Sequence, residues 1–575
     1  MKRVWIYLRK YKKECFFAPF FKMLEATFEL FVPLVVASII DIGISQNKPE
    51  HIMKMCFMML LLAVIGLVCS ITAQFFAAKA AVGCSTGMRQ ALFEHIEGLS
   101  FTEMDTIGTS TLITRMTSDI NQVQNALNLT LRLFLRSPFI VFGAMIMAFT
   151  VDVQAAITFV VVIPVLSVIV FGIMLSTRPM YKKVQAGLDK LLGITRENLT
   201  GVRVIRAFNK QQDEVKRFSQ ANEELNTLQK FVGSISGLMN PLTYIVVNVA
   251  IIALIYVGAI RVEHGALTQG AVVALYNYMS QILVELIKLA NLIISITKGL
   301  ACANRIEGIF DMQSSMKNGE KDMPEQQTDI PVVEFRNVSL KYEGNSEESI
   351  SDVNLKVMKG QTIGVIGGTG SGKTSFVSLI PRYYDATGGN VFINGTDVKE
   401  MKTESLREQI SVVMQKVQLF KGTIRSNMLM GKKDATDEQI WKALEIAQAK
   451  EFVEGKDGGL DAVVEQGGKN LSGGQRQRMT IARAIVGGPQ ILILDDSSSA
   501  LDYATDASLR KAILNMDSKP TLFIVSQRAA SLMHADQIVV LDDGCVAGIG
   551  THEELLKNCE VYQEIYYSQF QREEA

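Results

Sequence analysis

Residues 362–374 read TIGVIGGTGSGKT. The run Thr362–Ile366 is apolar and of strand length, and SFVSLIPRYY, from Ser375 on, has the pattern of an amphipathic helix start. Between them Gly367, Gly368, Thr369, Gly370, Ser371, Gly372, Lys373 and Thr374 match the pattern G-x-x-x-x-G-K-[ST]. Glycines let the backbone curl until successive N–H groups face phosphate oxygens, and the following helix adds the positive end of its dipole. Lys373 would then reach the β- and γ-phosphates and the Thr374 hydroxyl would bind Mg2+, with Ser375 beside them on the helix. Strand, turn and helix together predict a nucleotide-binding fold with ATP and Mg2+ as its cofactors.

Downstream, Ile491–Asp495 (ILILD) reads as a buried strand ending in an acid, and Asp495 fits the residue that holds the Mg2+ shell in P-loop ATPases. Leu471, Ser472, Gly473, Gly474 and Gln475 stand before the helical run QRQRMTIARAIV and form a second phosphate-facing helix N-terminus. One nucleotide does not need two such cradles from one chain, so the second is expected to close over ATP held by another subunit. Strand and helix patterns alternate over residues 332–575. They predict a mainly parallel α/β ATPase core with an antiparallel β element at its start.

Upstream the chain is written for a different solvent. It is 48% hydrophobic overall, with the apolar residues concentrated in the first 300. Six runs are long enough for bilayer-spanning helices, at about 20 residues each: Phe16–Ile44, Cys56–Ala80, Leu133–Val151, Ala155–Ser176, Pro241–Ile260 and Ala271–Ile296. Short, charge-poor loops alternate with two long basic stretches that carry, among others, Arg89, Arg115, Arg178, Lys182, Arg203 and Arg206. The positive-inside rule puts the N-terminus, both long stretches and the ATPase half in the cytoplasm. Helical periodicity in those stretches predicts that the spans continue well beyond the membrane. The basic, aromatic start MKRVWIYLRKYKKE lacks a cleavage-site pattern and reads as an amphipathic segment on the inner membrane surface. Residues 311–331 are polar without period and read as a linker. The predicted organisation is a six-helix transmembrane domain with two coupling loops (1–310), a linker (311–331) and an ATPase domain (332–575). Seven cysteines form no C-x-x-C pair and read as reduced packing residues. A formal net charge of zero gives no sign of nucleic-acid binding.

LSGGQ at residues 471–475 resembles the signature of the ATP-binding cassette (ABC) ATPases, and the order of spans, extensions, linker and ATPase resembles the multidrug-type ABC exporters along the whole chain. The resemblance implies a half-transporter that pairs with a second such chain across a lipid bilayer. It implies that Tyr342 stacks on adenine and that Gln415 touches Mg2+ and the attacking water. It also implies that Ser499–Asp502 is the dimer-interface loop and that Glu465–Lys469 contacts the cytoplasmic loops. Gly108–Asp119 and Glu197–Asn209 resemble the two coupling segments, the second contacting the partner's ATPase. Amphipathic or drug-like small molecules exported across a bacterial plasma membrane are the implied cargo. Lipid or peptide export, or an ATP-gated regulatory membrane protein that moves nothing, are the alternatives.

Two positions depart from the family pattern. Asp496 stands where a Glu general base is expected, and one methylene less pulls the carboxylate back by about 1.5 Å. Gln527 stands where the family has a histidine against the γ-phosphate. Glutamine can hydrogen-bond there but cannot become a cation. With P-loop and LSGGQ intact, the pair of changes predicts a heterodimer in which this chain's own site hydrolyses ATP poorly and its LSGGQ completes a competent partner site. Within the spans, Glu25, Glu29, Glu285 and Lys288 admit two readings: a substrate path, or bonds to neighbouring helices. Glu285 and Lys288 are spaced to pair with each other.

Overall fold

The computed structural model describes residues 2–327, 329–497 and 501–570. They form two compact units, one of residues 1–97 with 110–312 and one of residues 98–109 with 313–575.

In the first unit, six helices among the described residues are long and apolar enough to cross a membrane: Arg3–Ile44, Pro49–Glu97, Thr109–Val151, Val153–Thr200, Gln211–Glu263 and Gln269–Asp311. Each of the six expected spans lies inside one of them. The fourth runs 48 residues, roughly 70 Å at 1.5 Å per residue, against a hydrocarbon core of about 30 Å. The surplus is the extension that the periodicity of the long stretches predicted. Local chemistry sets the tight outer turns. Asp152 caps the fourth helix by accepting from the Ala155 N–H at 2.8 Å, and its other oxygen accepts from Arg261. On the second span Ala73, Ala77, Ala80, Ala81 and Cys84 are buried while Leu60, Leu67, Ile71 and Phe75 are exposed. Small residues let helix backbones approach closely, and large apolar ones suit lipid tails.

The second unit carries twelve strands among its described residues: β1 (Val333–Leu340), β2 (Ile350–Val357), β3 (Thr362–Gly367), β4 (Gly388–Ile393), β5 (Thr396–Asp397), β6 (Ile410–Val413), β7 (Gly422–Thr423), β8 (Val463–Val464), β9 (Ile491–Asp495), β10 (Thr521–Val525), β11 (Gln537–Asp542) and β12 (Cys545–Gly550). The main sheet has the order β12-β11-β3-β10-β9-β6 and is parallel except for β12. The early strands make the antiparallel sheet β2-β1-β4-β5. β3 and β9 are buried along their whole length, as both-face-covered parallel strands require. Val525 pairs with Asp495 and with Val365, so β3, β9 and β10 end side by side. Ligands of such sheets bind beyond these carboxyl ends.

Two segments have surroundings that their composition does not show. The polar segment after Asp311 is not a free tether: Gly319 donates to the Met401 carbonyl, Lys402 to that of Lys321 and Arg382 to that of Lys317. Its backbone groups find partners on the ATPase domain, which composition alone could not reveal. Most of the Gly108–Asp119 segment lies in the helical unit, and the stretch just before it groups with the ATPase. The helix Phe101–Ile107, opened by a Ser100/Glu103 capping box and closed by Gly108 at φ 78°, belongs to the ATPase unit. Phe101 packs 4.7 Å from the Tyr383 ring, and the Tyr384 hydroxyl donates to Asp105 at 2.5 Å. From Ser110 the chain has rejoined the helical unit, where Asp119 is buried and bonded by Arg115 and Arg305. The Glu197–Asn209 segment is a break between long helices, with the short helix Val202–Ala207 at its centre. Leu199, Val204 and Phe208 stand exposed there, Phe208 to 73%.

Candidate functional site

A cavity of about 620 Å3 opens at the ends of β3, β9 and β10, and the P-loop residues Thr369, Gly370, Gly372, Lys373, Thr374 and Ser375 line it. Gly370 and Gly372 have φ of 86° and 91°, which favours glycine, and a Cβ on Gly372 would collide with the Ser349 carbonyl. Gly367, Gly368 and Ser371 do not line the cavity; they shape the turn behind it. The Lys373 ammonium donates to the Gly367 and Gly368 carbonyls at 3.0 and 2.5 Å. Burial lowers its pKa from the ordinary lysine value, and Asp496 and Asp495 oppose that shift.

At the next position the Thr374 hydroxyl donates to both carboxylate oxygens of Asp495, at 3.2 and 3.0 Å. Asp495 is 5% exposed, and burial pushes its carboxyl above the usual range, with the neighbouring Asp496 charge adding to the effect. A half-satisfied buried carboxylate beside a hydroxyl, with the Gln415 amide in the same cavity, is a set of hard oxygen donors of the kind Mg2+ takes. The residues present therefore fit Mg2+.

Asp496 has a left-handed backbone (φ 46°), and its N–H donates to the Val525 carbonyl, joining the ends of β9 and β10. Its carboxylate accepts from Gln415 Nε2 at 3.2 Å, and Gln527 lines the same cavity. The structure therefore gathers Lys373, Thr374, Gln415, Asp495, Asp496 and Gln527 around one space. Tyr342 does not line it. Its phenol donates to Ser375 at 3.0 Å, and its ring meets that of Tyr384 edge-on at 5.0 Å. Leu471–Gln475 do not line it either. Ser472 caps the helix Gly473–Ile485 in a reciprocal bond pair with Gln475. Of the expected dimer-interface loop, Ser499 and Ala500 lie outside the described residues.

Sequence reading missed three elements of the site. Gly344–Ser349 brings Glu347 and Glu348 to the cavity, and Asp543 joins them from the β11–β12 turn. Gln569, on the C-terminal helix Glu560–Gln569, donates to the Gln527 carbonyl at 2.7 Å and accepts from the Ala529 N–H. Neither contact has a local signature, because each joins distant parts of the chain. In the helical unit, Arg136 and Lys22 were passed over at the flanks of apolar runs. Arg136 bridges Glu285 and Glu29 at 2.6 and 2.7 Å, Ser137 and Lys288 also bond Glu285, and Lys22 bonds Glu25. Glu29 and Glu285 thus bond to a neighbouring helix through Arg136, Glu25 pairs with Lys22 on its own helix, and all three line cavities.

A phosphate cradle at the carboxyl edge of a parallel sheet, in a chain that also spans the bilayer six times, defines a nucleotide-driven membrane protein. Residues 15–286 match the family described as ABC transporter transmembrane region and residues 350–499 that described as ABC transporter. An uncharacterised ABC transporter ATP-binding protein of Bacillus subtilis is 33% identical over 100% of this chain and 99% of its own length. One from Mycobacterium bovis is 33% identical over 98% and 97%. The ATP-dependent lipid A-core flippase of Salmonella typhimurium is 28% identical over 99% and 97%. In fold, the chain is similar to an ATP-bound bacterial Atm1-family ABC exporter, with a TM-score of 0.78 at 20% identity over 99% of both chains. The chain belongs to the ABC transporter family, with the transmembrane region and the ATP-hydrolysing domain fused in one polypeptide. It is a multi-pass membrane protein with a cytoplasmic ATPase domain.

Proposed function

We propose that this chain is one subunit of a heterodimeric exporter of amphipathic or drug-like molecules in a bacterial plasma membrane, with its own P-loop site hydrolytically impaired. The observation that carries this reading is Asp496 in the cavity at the position of the general base, held 3.2 Å from Gln415. P-loop amides and Lys373 hold the phosphates, and Tyr342 meets the adenine from the margin of the cavity beside Ser375. Thr374, Gln415 and Asp495 would hold Mg2+, which would neutralise phosphate charge. The Asp496 carboxylate orients and deprotonates water from about 1.5 Å too far back. A base misplaced on that scale costs on the order of a hundredfold in rate. Gln527 offers a hydrogen bond to the γ-phosphate without a positive charge.

Two further features support a partner chain. LSGGQ lies outside the chain's own nucleotide cavity, with its cap ready to face another phosphate. Leu199, Val204 and Phe208 expose an apolar tip at the second coupling segment, and such patches mark protein contacts. Trapping of photoreactive nucleotide in the assembled pair tests the asymmetry. Slow turnover at this chain's P-loop and fast turnover at the partner's is expected; equal rates at both sites refute it. The flippase relatives favour a second reading, lipid export by the same machinery. ATP-driven uptake of dye and of labelled lipid into inverted vesicles separates the two.

A further inference from the structure

The helix Glu560–Gln569 is fastened to the ATPase domain by its aromatic residues. Tyr562 is fully buried, and its hydroxyl shares a hydrogen bond with His552 Nδ1 at 2.7 Å. Tyr566 stacks on Phe570, just past the helix, at 4.7 Å. Both pack against the buried cluster that includes Leu494, Ile524 and Val540. A side chain on an element locked in this way can be placed accurately. Gln569, in the last turn, spends its amide on the backbone beyond β10. Its Nε2 donates to the Gln527 carbonyl at 2.7 Å, and its Oε1 accepts from the Ala529 N–H at 2.9 Å.

The rest of that segment is tied locally. The Ser526 N–H donates to the Val365 carbonyl on β3, and the Arg528 N–H donates to Ser526 Oγ. Among the described residues no backbone group bonds the Gln527 carbonyl or the Ala529 N–H. One side-chain amide serves both. Holding the carbonyl fixes the rotation about the Gln527 Cα–C bond, and with it the direction in which the Gln527 side chain leaves the segment. Gln527 is exposed and lines the nucleotide cavity. Only an amide carries a donor and an acceptor on one planar end. Leucine offers neither, and glutamate would set a second acceptor against the Gln527 carbonyl.

From this geometry we infer that Gln569 is a positioning residue for nucleotide recognition. It aims Gln527 at the γ-phosphate from behind the segment, and so favours ATP over ADP in this chain's own site. The inference rests on the reading of Gln527 as the γ-phosphate contact. It does not rest on the pairing of two chains, since both glutamines and the P-loop belong to one polypeptide.

The test is displacement of trinitrophenyl-ATP by MgATP and by MgADP from the full chain in lipid nanodiscs, on ice to hold back hydrolysis. Gln569→Leu should lower the ratio of ATP to ADP affinity by about threefold or more, the scale of a lost hydrogen bond, through weaker ATP binding alone. Gln527→Ala should lower the ratio at least as far. The double variant should fall no further than Gln527→Ala, because one glutamine works through the other. An equal fall in ATP and ADP affinity, which a merely structural role would give, overturns the inference, and so do additive losses in the double variant. If Gln569→Leu does not fold, Gln569→Glu decides: it keeps the size and loses the donor, so a lowered ratio supports the inference and an unchanged one overturns it. A ratio lowered by Gln527→Ala and unmoved by Gln569→Leu sinks the inference alone. A ratio unmoved by Gln527→Ala sinks the γ-phosphate reading, and the inference with it.

Discussion

Asp495 and Asp496 are neighbours in sequence and opposite in setting. Asp495 ends a strand buried throughout, and burial raises its carboxyl pKa. The folded protein therefore keeps that proton to higher pH than the unfolded chain does, and stability falls as pH rises between the unfolded and folded values. Above the folded value the penalty stands in full. Asp495→Asn should raise the melting temperature of the nucleotide-free protein by a few degrees. An ill-satisfied buried group costs about 1–3 kcal/mol, and each kcal/mol is worth roughly 2–4 °C in a domain of this size. The gain should shrink as pH is lowered toward the ordinary carboxylate range, and binding of Mg2+-nucleotide should be lost; thermal unfolding against pH, with and without MgATP, reads both effects. On the proposed reading Asp496 limits chemistry instead. Asp496→Glu restores the missing methylene and should raise hydrolysis at this site by up to about a hundredfold, measured by nucleotide trapping on this chain in the assembled pair. The P-loop and Asp495 were legible because their spacing is local. The Gln569–Gln527 bond was not, because a glutamine near the C-terminus carries no sign of what it will meet.

At the scale of elements, the spans and the alternating strands and helices were legible from periodicity and length, since each answers to the solvent around it. The docking helix Phe101–Ile107 was not. Its aromatic and acidic residues look like an ordinary amphipathic turn, and the resemblance fell on the segment just beyond Gly108. Its receiver was equally hidden, because Tyr383 and Tyr384 fell within the run SFVSLIPRYY that reads as an amphipathic helix start, whereas the helix ends at Ser378. The geometry makes a short chain of contacts: Asp105 to the Tyr384 hydroxyl, the Tyr384 ring to Tyr342, and the Tyr342 hydroxyl to Ser375. Burial and the Asp105 carboxylate hold the Tyr384 phenol well above its ordinary pKa, so it remains a donor at any physiological pH. Tyr384→Phe and Asp105→Asn should each leave nucleotide binding within about twofold while reducing substrate stimulation of ATP hydrolysis several-fold. Because both remove the same bond, the double variant should be no worse than either single one. Additive losses would mean that the two residues act separately.

At the scale of the molecule, the proposed pairing gives a signature cap outside its own nucleotide cavity its work across an interface. The first hydroxyl of that cap, Ser472, accepts from the Gln475 N–H at 3.2 Å. Removing it should cost the helix about 1 kcal/mol, too little to unfold a domain, yet it takes a phosphate-facing group from the opposing site. Ser472→Ala is therefore expected to lower ATP turnover of the assembled pair by tenfold or more while photolabelling of this chain's own P-loop stays unchanged. The matching change in the partner's signature should do the reverse: turnover mostly preserved, because the site it completes is the slow one, and labelling retention on this chain shortened. Two chains with equivalent sites would lose turnover equally from either change. The paired measurement thus reads the difference between the sites directly, without needing the transported molecule to be known.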